Sequence, residues 1–343
     1  MTDATLPPRA PGRAASHART GAPSHPLLDV LVKRGAVGVL TLWFVSILVF
    51  AATQVLPGNA AYAVLQNTAT PQRLRALEDQ MHLNRPIVVQ YWAWLTGLLH
   101  GNPGMSLVSD TPVSTLVGGR IVNSAVLLIA AGLIGTLIGV GLGVAAAARR
   151  DSVLDHVLSV VALAITAMPE FVVAVFLVVI FAALVWHFFP AVSVFPPGVP
   201  PWSSPSKMVL PVATLVIVIV PYIFRMMRAS MIDALESDYV EMARLKGLPR
   251  WRVLLVHALP NGIAPTIQVI GLTFLYLAGG VVVVEYVFIY PGLGSELVAA
   301  VSDSDIPVIQ FIVLILAGFY VAVNILTDVV SLAASPRRRL PRS

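Results

Sequence analysis

Six runs of apolar residues divide this chain: about Val37–Leu56, Ile121–Ala148, Val157–Val185, Met208–Phe224, Ile263–Val284 and Val308–Leu332. Crossing about 30 Å of hydrocarbon as a helix takes about 20 such residues. Only helices and closed barrels satisfy every backbone group in lipid, and runs of this length are helical. The pattern therefore predicts an all-α integral membrane protein with six transmembrane helices. The third run is long enough to need tilting or kinking, and Pro169 supplies a kink within it. The fourth is near the short limit.

The polar intervals carry their own patterns. Residues 57–119 form the longest interval. There Thr70 followed by Pro71 reads as a helix start, with Leu74, Leu77 and Met81 on one face. Ile87–Leu99, with Tyr91, Trp92 and Trp94, is apolar but short, and suits a membrane interface. In the second run Gly135, Gly139 and Gly143 recur every four residues, a spacing that lets helix backbones approach closely. After the fourth run Met227, Met231, Leu235, Tyr239 and Met242 recur at helical spacing opposite Asp233, Glu236, Asp238 and Glu241. This predicts one helix continuing out of the membrane to a stop at Gly247, where a left-handed residue suits glycine. Pro249 fits the first turn of the helix that follows.

Composition sharpens this picture. Of the 343 residues, 57% are hydrophobic and 11% charged, against roughly 25% charged in soluble domains. The net charge of +5 would admit nucleic acid as a partner, but the basic residues alternate between loops. Seventeen of the 22 Lys and Arg fall at the two termini and in the loops after the second and fourth runs. That asymmetry places both termini and those loops in the cytoplasm and makes residues 57–119 extracytoplasmic; no nucleic acid is implied. Residues 1–30, rich in Pro, Ala, Ser and Arg, read as a disordered cytoplasmic tail ahead of a six-span domain over 31–340. Ala61-Tyr62-Ala63 resembles a leader cleavage site, but the preceding run is too long for a signal core and reads as an uncleaved span. With no cysteine, disulfides and thiolate metal sites are excluded. There is no phosphate-binding Gly-x4-Gly-Lys-Ser/Thr loop and no His-Glu-x-x-His, so neither ATP hydrolysis nor a metal site is expected in this chain.

Glu241 to Pro260, EMARLKGLPRWRVLLVHALP, carries the sharpest signal. Glu-x-Ala, a Gly four residues after the Ala, and Leu-Pro twelve residues beyond that resemble the cytoplasmic loop of binding-protein-dependent ABC importer permeases. Val55-Leu56-Pro57-Gly58, Leu83-Asn84-Arg85-Pro86, Gly101-Asn102-Pro103-Gly104-x-Ser106-Leu107, Gly279–Gly294 and Tyr320–Leu332 with Pro336-Arg337 extend the resemblance to about residues 30–340. They make the chain most similar to the first permease of dipeptide, oligopeptide or nickel systems. Asn59, Asn102, Asn123 and Ser335 depart from that pattern.

The resemblance implies a type I ABC importer permease fold in the bacterial plasma membrane. It also implies a coupling loop over 225–262, in which Glu241, Ala243, Arg244, Lys246, Gly247, Leu248, Pro249, Arg250, Leu259 and Pro260 engage an ATPase. The implied partners are a second homologous permease, two cytoplasmic ATPases that carry the ATP and Mg, an extracytoplasmic substrate-binding protein and membrane lipid. Di- or oligopeptides are the first expectation for the solute.

Three carboxylates lie in or beside apolar runs: Glu170, Glu285 and Asp328. A charge at a helix centre costs about 2.5–3.5 kcal/mol, so each needs a reason. Glu285 and Asp328, near span ends, suit anchoring. Glu170, directly after Pro169, suits either a pathway contact to a cationic group or a role satisfying groups freed by the proline; Glu285 is the second pathway candidate. These carboxylates keep a rival class in view, an ion- or proton-coupled secondary transporter, which the coupling loop and the lack of internal duplication disfavour.

Overall fold

The computed structural model describes residues 26–55, 72, 85–184, 187–196 and 198–334. The expected helix start at Thr70-Pro71 and its face, most of the tail 1–30, and the motif residues Leu56–Gly58, Leu83-Asn84 and Pro336-Arg337 lie outside the described residues, as do Asn59 and Ser335.

The apolar runs are helical. Helices α1 (Pro26–Val55), α3 (Val113–Ala148), α6 (Pro205–Leu235) and α10 (Ile306–Ala334) are each long and apolar enough to cross a membrane. A fifth span starts at Arg250, passes a π-helical segment Val253–Ala258, and continues as α8 (Leu259–Val287). The widened turn precedes Pro260. A proline has no N–H for the carbonyl four residues back, and opening the helix to π geometry relieves the clash of its ring.

The third apolar run differs from the expected kinked helix. It is a pair, α4 (Val153–Thr166) and α5 (Glu170–Val178, extended to Leu184 by a π turn), bent by 104° across Ala167–Pro169. Pro169 disfavours helix at Met168 and is itself extended (φ −60°, ψ 146°), so the first helix stops and a second begins at Glu170. The break puts a carboxylate on the first turn of α5, where the free N–H groups favour negative charge.

The short α2 (Ile87–Leu99) packs Tyr91 and Trp94 onto Phe50 of α1, with ring centroids 5.5 and 5.6 Å apart. Helix α1 is tied to α10 by Gln310 Nε2 donating to Thr53 Oγ1 at 2.7 Å and by Arg34 against Asp328 at 2.7 Å. Asp328 thus has a partner at its span end.

Helix α6 is the central element, buried at positions from Leu210 to Ala234. It runs well beyond the short apolar run that marks it in sequence. Helix α3 lies along it because three glycines leave no side chain between the backbones. A Cβ on Gly135 would stand 2.5 Å from Ile219, one on Gly139 2.8 Å from Ile223, and one on Gly143 2.7 Å from Met227. Such contact is the packing that lipid, offering no hydrophobic drive of its own, leaves to close fit.

At its C-terminal end α6 does not continue unbroken to Gly247. It stops at Leu235, and after Ser237 a separate helix α7 (Asp238–Leu245) begins. The break resets the helical phase. Met227 and Met231 are fully buried as expected, but in α7 Val240 and Ala243 face inward, while Tyr239 and Met242 face out. A shorter helix, α9 (Leu293–Ser302), follows a tight turn after α8.

Candidate coupling and translocation sites

The loop between α6 and α8 is packed as one module. Gly247 has φ +75°, with its N–H donating to the Arg244 carbonyl at 2.9 Å and the Leu248 N–H reaching the Ala243 carbonyl at 3.4 Å. This pair of bonds, with Leu248 and Ala243 in one apolar cluster, closes α7 with a Schellman turn. Pro249 (ψ 146°) caps the next helix, one position before its expected place in the first turn, and Arg250 starts that helix. Val240, Ala243, Val253 and Ala258 pack with Met227, Met231 and Ala234 of α6, and Leu248, Leu254 and Leu259 press against them. The loop is thereby fastened to the bases of two spans.

Its outer surface is different. Met242, Leu245 and Trp251 are each at least 60% exposed, among exposed Glu241, Arg244, Lys246 and Arg250. Leu235, Arg244, Leu248, Arg250 and Trp251 line a cavity of about 530 Å³ beside this ridge. Pro260 is exposed and Leu259 half-buried at the start of α8. His257 Nδ1 lies 3.2 Å from the Arg252 carbonyl oxygen, a local backbone contact.

Two further ion pairs flank the loop. Arg228 forms a fork with Asp155, Nε to Oδ1 at 2.5 Å and Nη2 to Oδ2 at 2.7 Å, joining α6 to the start of α4. Arg150 pairs with Glu236 at the surface. Neither pair was legible in sequence, since the partners are 73 and 86 positions apart.

At the opposite end of α8 Glu285 is wholly buried, and its carboxylate caps α9. Oε2 accepts the Gly294 and Ser295 N–H groups at 2.6 and 3.2 Å, and Oε1 accepts the Ser124 hydroxyl at 2.5 Å. Ser124 Oγ in turn accepts the Leu293 N–H at 2.7 Å. The first three amides of α9, which a helix leaves unpaired, are thus all satisfied from α3 and α8. The approach requires glycine: a Cβ on Gly292 would lie 2.1 Å from the Glu285 carboxyl carbon. Arg120 pairs with Glu296 at 2.8 Å beside this cluster. Burial raises the Glu296 carboxyl above its ordinary range, and Arg120 opposes that rise. Asn123 Nδ2 donates to the Pro291 carbonyl at 2.8 Å, and the Tyr290 hydroxyl donates to the Asn123 carbonyl at 2.8 Å. Ser106, from the outer motif, donates to buried Asp305 ahead of α10 and so pins that segment. Sequence reasoning missed Ser124, Arg120 and Asp305; the Pro-Gly-Leu-Gly turn six residues after Glu285 was the available signal.

Glu170 is placed otherwise. It is half-buried, and the Tyr276 hydroxyl of α8 donates to its Oε2 at 2.8 Å. Tyr276 is 43% exposed and its ring lies 5.8 Å from that of Tyr222 of α6, tilted at 48°, with Tyr222 itself 38% exposed. Glu170 and Glu285, the two pathway candidates, are therefore not brought together. Among the described residues no group of His, Asp or Glu is arranged to hold a metal.

Residues 139–340, which include the loop, α8 and α10, match the model of the binding-protein-dependent transport system inner membrane component, and residues 27–116 match its N-terminal component. The chain belongs to this permease family. It is 33% identical over 311 residues to a putative peptide transport system permease protein of Brucella abortus (strain 2308), covering 90% of this chain and 98% of that one. A probable peptide ABC transporter permease protein of Sinorhizobium fredii is 32% identical over 310 residues, with the same coverage. A glutathione transport system permease protein of Salmonella choleraesuis is 34% identical over 314 residues, covering 91% of this chain and 99% of that one. The permease is thus a multi-pass protein of the bacterial plasma membrane with a transport role. Its membership implies ATPase and substrate-binding-protein partners.

Proposed function

We propose that this permease is one of two homologous membrane subunits of an ATP-driven importer for short peptides or a related small solute. It would work with two cytoplasmic ATPases, which carry the ATP and Mg, and an extracytoplasmic binding protein. The distribution of basic residues supports a cytoplasmic position for both termini and the 225–262 loop, on the ATPase side. The names of the peptide and glutathione relatives support the solute class.

One observation carries the coupling role: Glu241–Pro260 is packed inward onto the bases of α6 and α8 and outward presents an exposed apolar and basic ridge. A partner that moves the ridge moves both spans. Closure of the ATPases on ATP would open the solute cavity outward, and its release would reverse the change. Glu170 is assigned to the pathway rather than to anchoring, because it is half-buried and meets exposed tyrosines.

Gly247→Val tests the loop. At φ +75° open space surrounds the missing Cβ, so the penalty is conformational, about 1–2 kcal/mol and greatest for a β-branched residue. Uptake by the assembled importer is expected to be lost while the isolated ATPases stay active. Normal uptake would remove the coupling role. Uptake that persists without ATP and follows an ion gradient would instead favour the carboxylate-coupled rival, for which the half-exposed Glu170 is the supporting feature.

A further inference from the structure

Most of the outward surface of the spans is what lipid requires. On α3, exposed Ile129, Leu133 and Leu137 form an apolar face. One strip is not. On α6, Tyr222, Arg225, Ala229 and Asp233 are exposed at successive intervals of three or four, a single helix face. On α8, Asn261, Gln268 and Tyr276 share an exposed face in the same way, interrupted by Pro265 and Leu272. The two faces are adjacent and antiparallel: the rings of Tyr222 and Tyr276 meet at a tilt, and further down Thr266 Oγ1 donates to Met227 Sδ at 3.4 Å. Gln268 and the two tyrosines lie at span level, where polar side chains face water-filled cavities or protein partners because hydrocarbon cannot satisfy them, and Arg225, Asp233 and Asn261 carry the same face on through the 225–262 segment.

The strip has a direction. Glu170 heads it beside the tyrosines, with Oε1 next to Gly280, where a Cβ would stand 3.0 Å away. Arg225 follows about one turn below Tyr222, and Asp233 and Asn261 end it at the cytoplasmic side, where they line a cavity of about 420 Å³. The charges alternate: acid, base, acid.

Resting on the importer reading above, we infer that this strip is the wall of the solute path from the Glu170 level to the cytoplasm, and that it selects dipolar solutes with a protonated amine and a carboxylate. Glu170 takes the amine, Arg225 the carboxylate, and Asp233 receives the amine at the exit. Free-amine short peptides have that chemistry; a bare divalent cation would meet Arg225 as a barrier.

The chain contains no cysteine, so a single introduced thiol reports alone. In the assembled importer, Gln268→Cys and Ala229→Cys should react with charged methanethiosulfonates about tenfold faster than Leu137→Cys, whose lipid-side position leaves no water to carry the reagent. At Gly279→Cys the trimethylammonium reagent should outpace the sulfonate reagent by about tenfold, and Glu170→Gln should abolish the preference. Reaction at Gln268→Cys and Ala229→Cys no faster than at Leu137→Cys would overturn the path. An unchanged charge preference in Glu170→Gln would overturn the selection. The importer reading is checked separately, by ATP-dependent uptake of Ala-Ala against N-acetyl-Ala-Ala with the wild-type complex. No uptake of either would fail that reading whatever the labelling shows, whereas equal uptake of both at equal loading of the binding protein would overturn the selection alone.

Discussion

Glu285 and Glu170 are both carboxylates in apolar spans, yet the fold treats them oppositely. Glu285 has no exposed surface and three hydrogen-bond donors from two other segments. Glu170 is half-buried with the Tyr276 hydroxyl on one oxygen, at the broken middle of its span. The first has become part of the architecture, since a buried charge is tolerated only when its lone pairs are filled. The second retains acceptor capacity at a surface, which is what a transient contact needs. A costly group inside a membrane therefore divides by satisfaction: filled means structure, part-filled means traffic.

The comparison can be broken most forcefully at Glu285. Glu285→Ala strands the Gly294 and Ser295 amides and the Ser124 hydroxyl at about 1–3 kcal/mol each, so the subunit should fall sharply in membrane abundance and detergent stability. Near-normal abundance by quantitative blotting would mean that the clamp is dispensable. Gly294→Ala tests the same clamp through space. Its Cβ would lie 2.4 Å from the Val282 Cα, backbone that cannot swing aside, and a loss of about 1–3 kcal/mol should lower the melting midpoint.

Glu170→Gln should do the reverse: normal abundance and ATPase activity, with uptake of free-amine peptides reduced about tenfold. A fall in abundance matching that of Glu285→Ala would erase the distinction. The smallest effect belongs to Tyr276→Phe. It removes one partly exposed hydrogen bond of about 0.5–1.5 kcal/mol and should shift uptake only a few-fold, with no change in melting midpoint.

Much of this was legible before any coordinates. The short helix Ile87–Leu99 emerged at its expected place, and Gly247 took its left-handed conformation. Both are local matters, decided by hydrophobic run length and by the one residue without a Cβ penalty. The errors were also local in origin but needed geometry to expose. The stripe from Met227 to Met242 looked continuous because a pause of two residues between helices leaves the spacing nearly helical while turning the inward face from Met242 to Ala243. Pro169 predicts a kink; the chain is instead broken by 104° there, with Pro169 extended between the two helices.

Sequence by itself determined the class of this protein: apolar helices long enough to cross a membrane, a glycine turn between two of them, and the permease family. Those properties follow from transfer energies and turn chemistry, which act on neighbours along the chain. Tertiary structure alone decided which carboxylate is sealed and which faces out, because that depends on partners such as Ser124 and Tyr276, 161 and 106 positions away. No local pattern encodes whether a distant donor arrives. That is settled by close packing, and at Glu285 it was settled by two glycines that let a turn of backbone come within hydrogen-bonding reach.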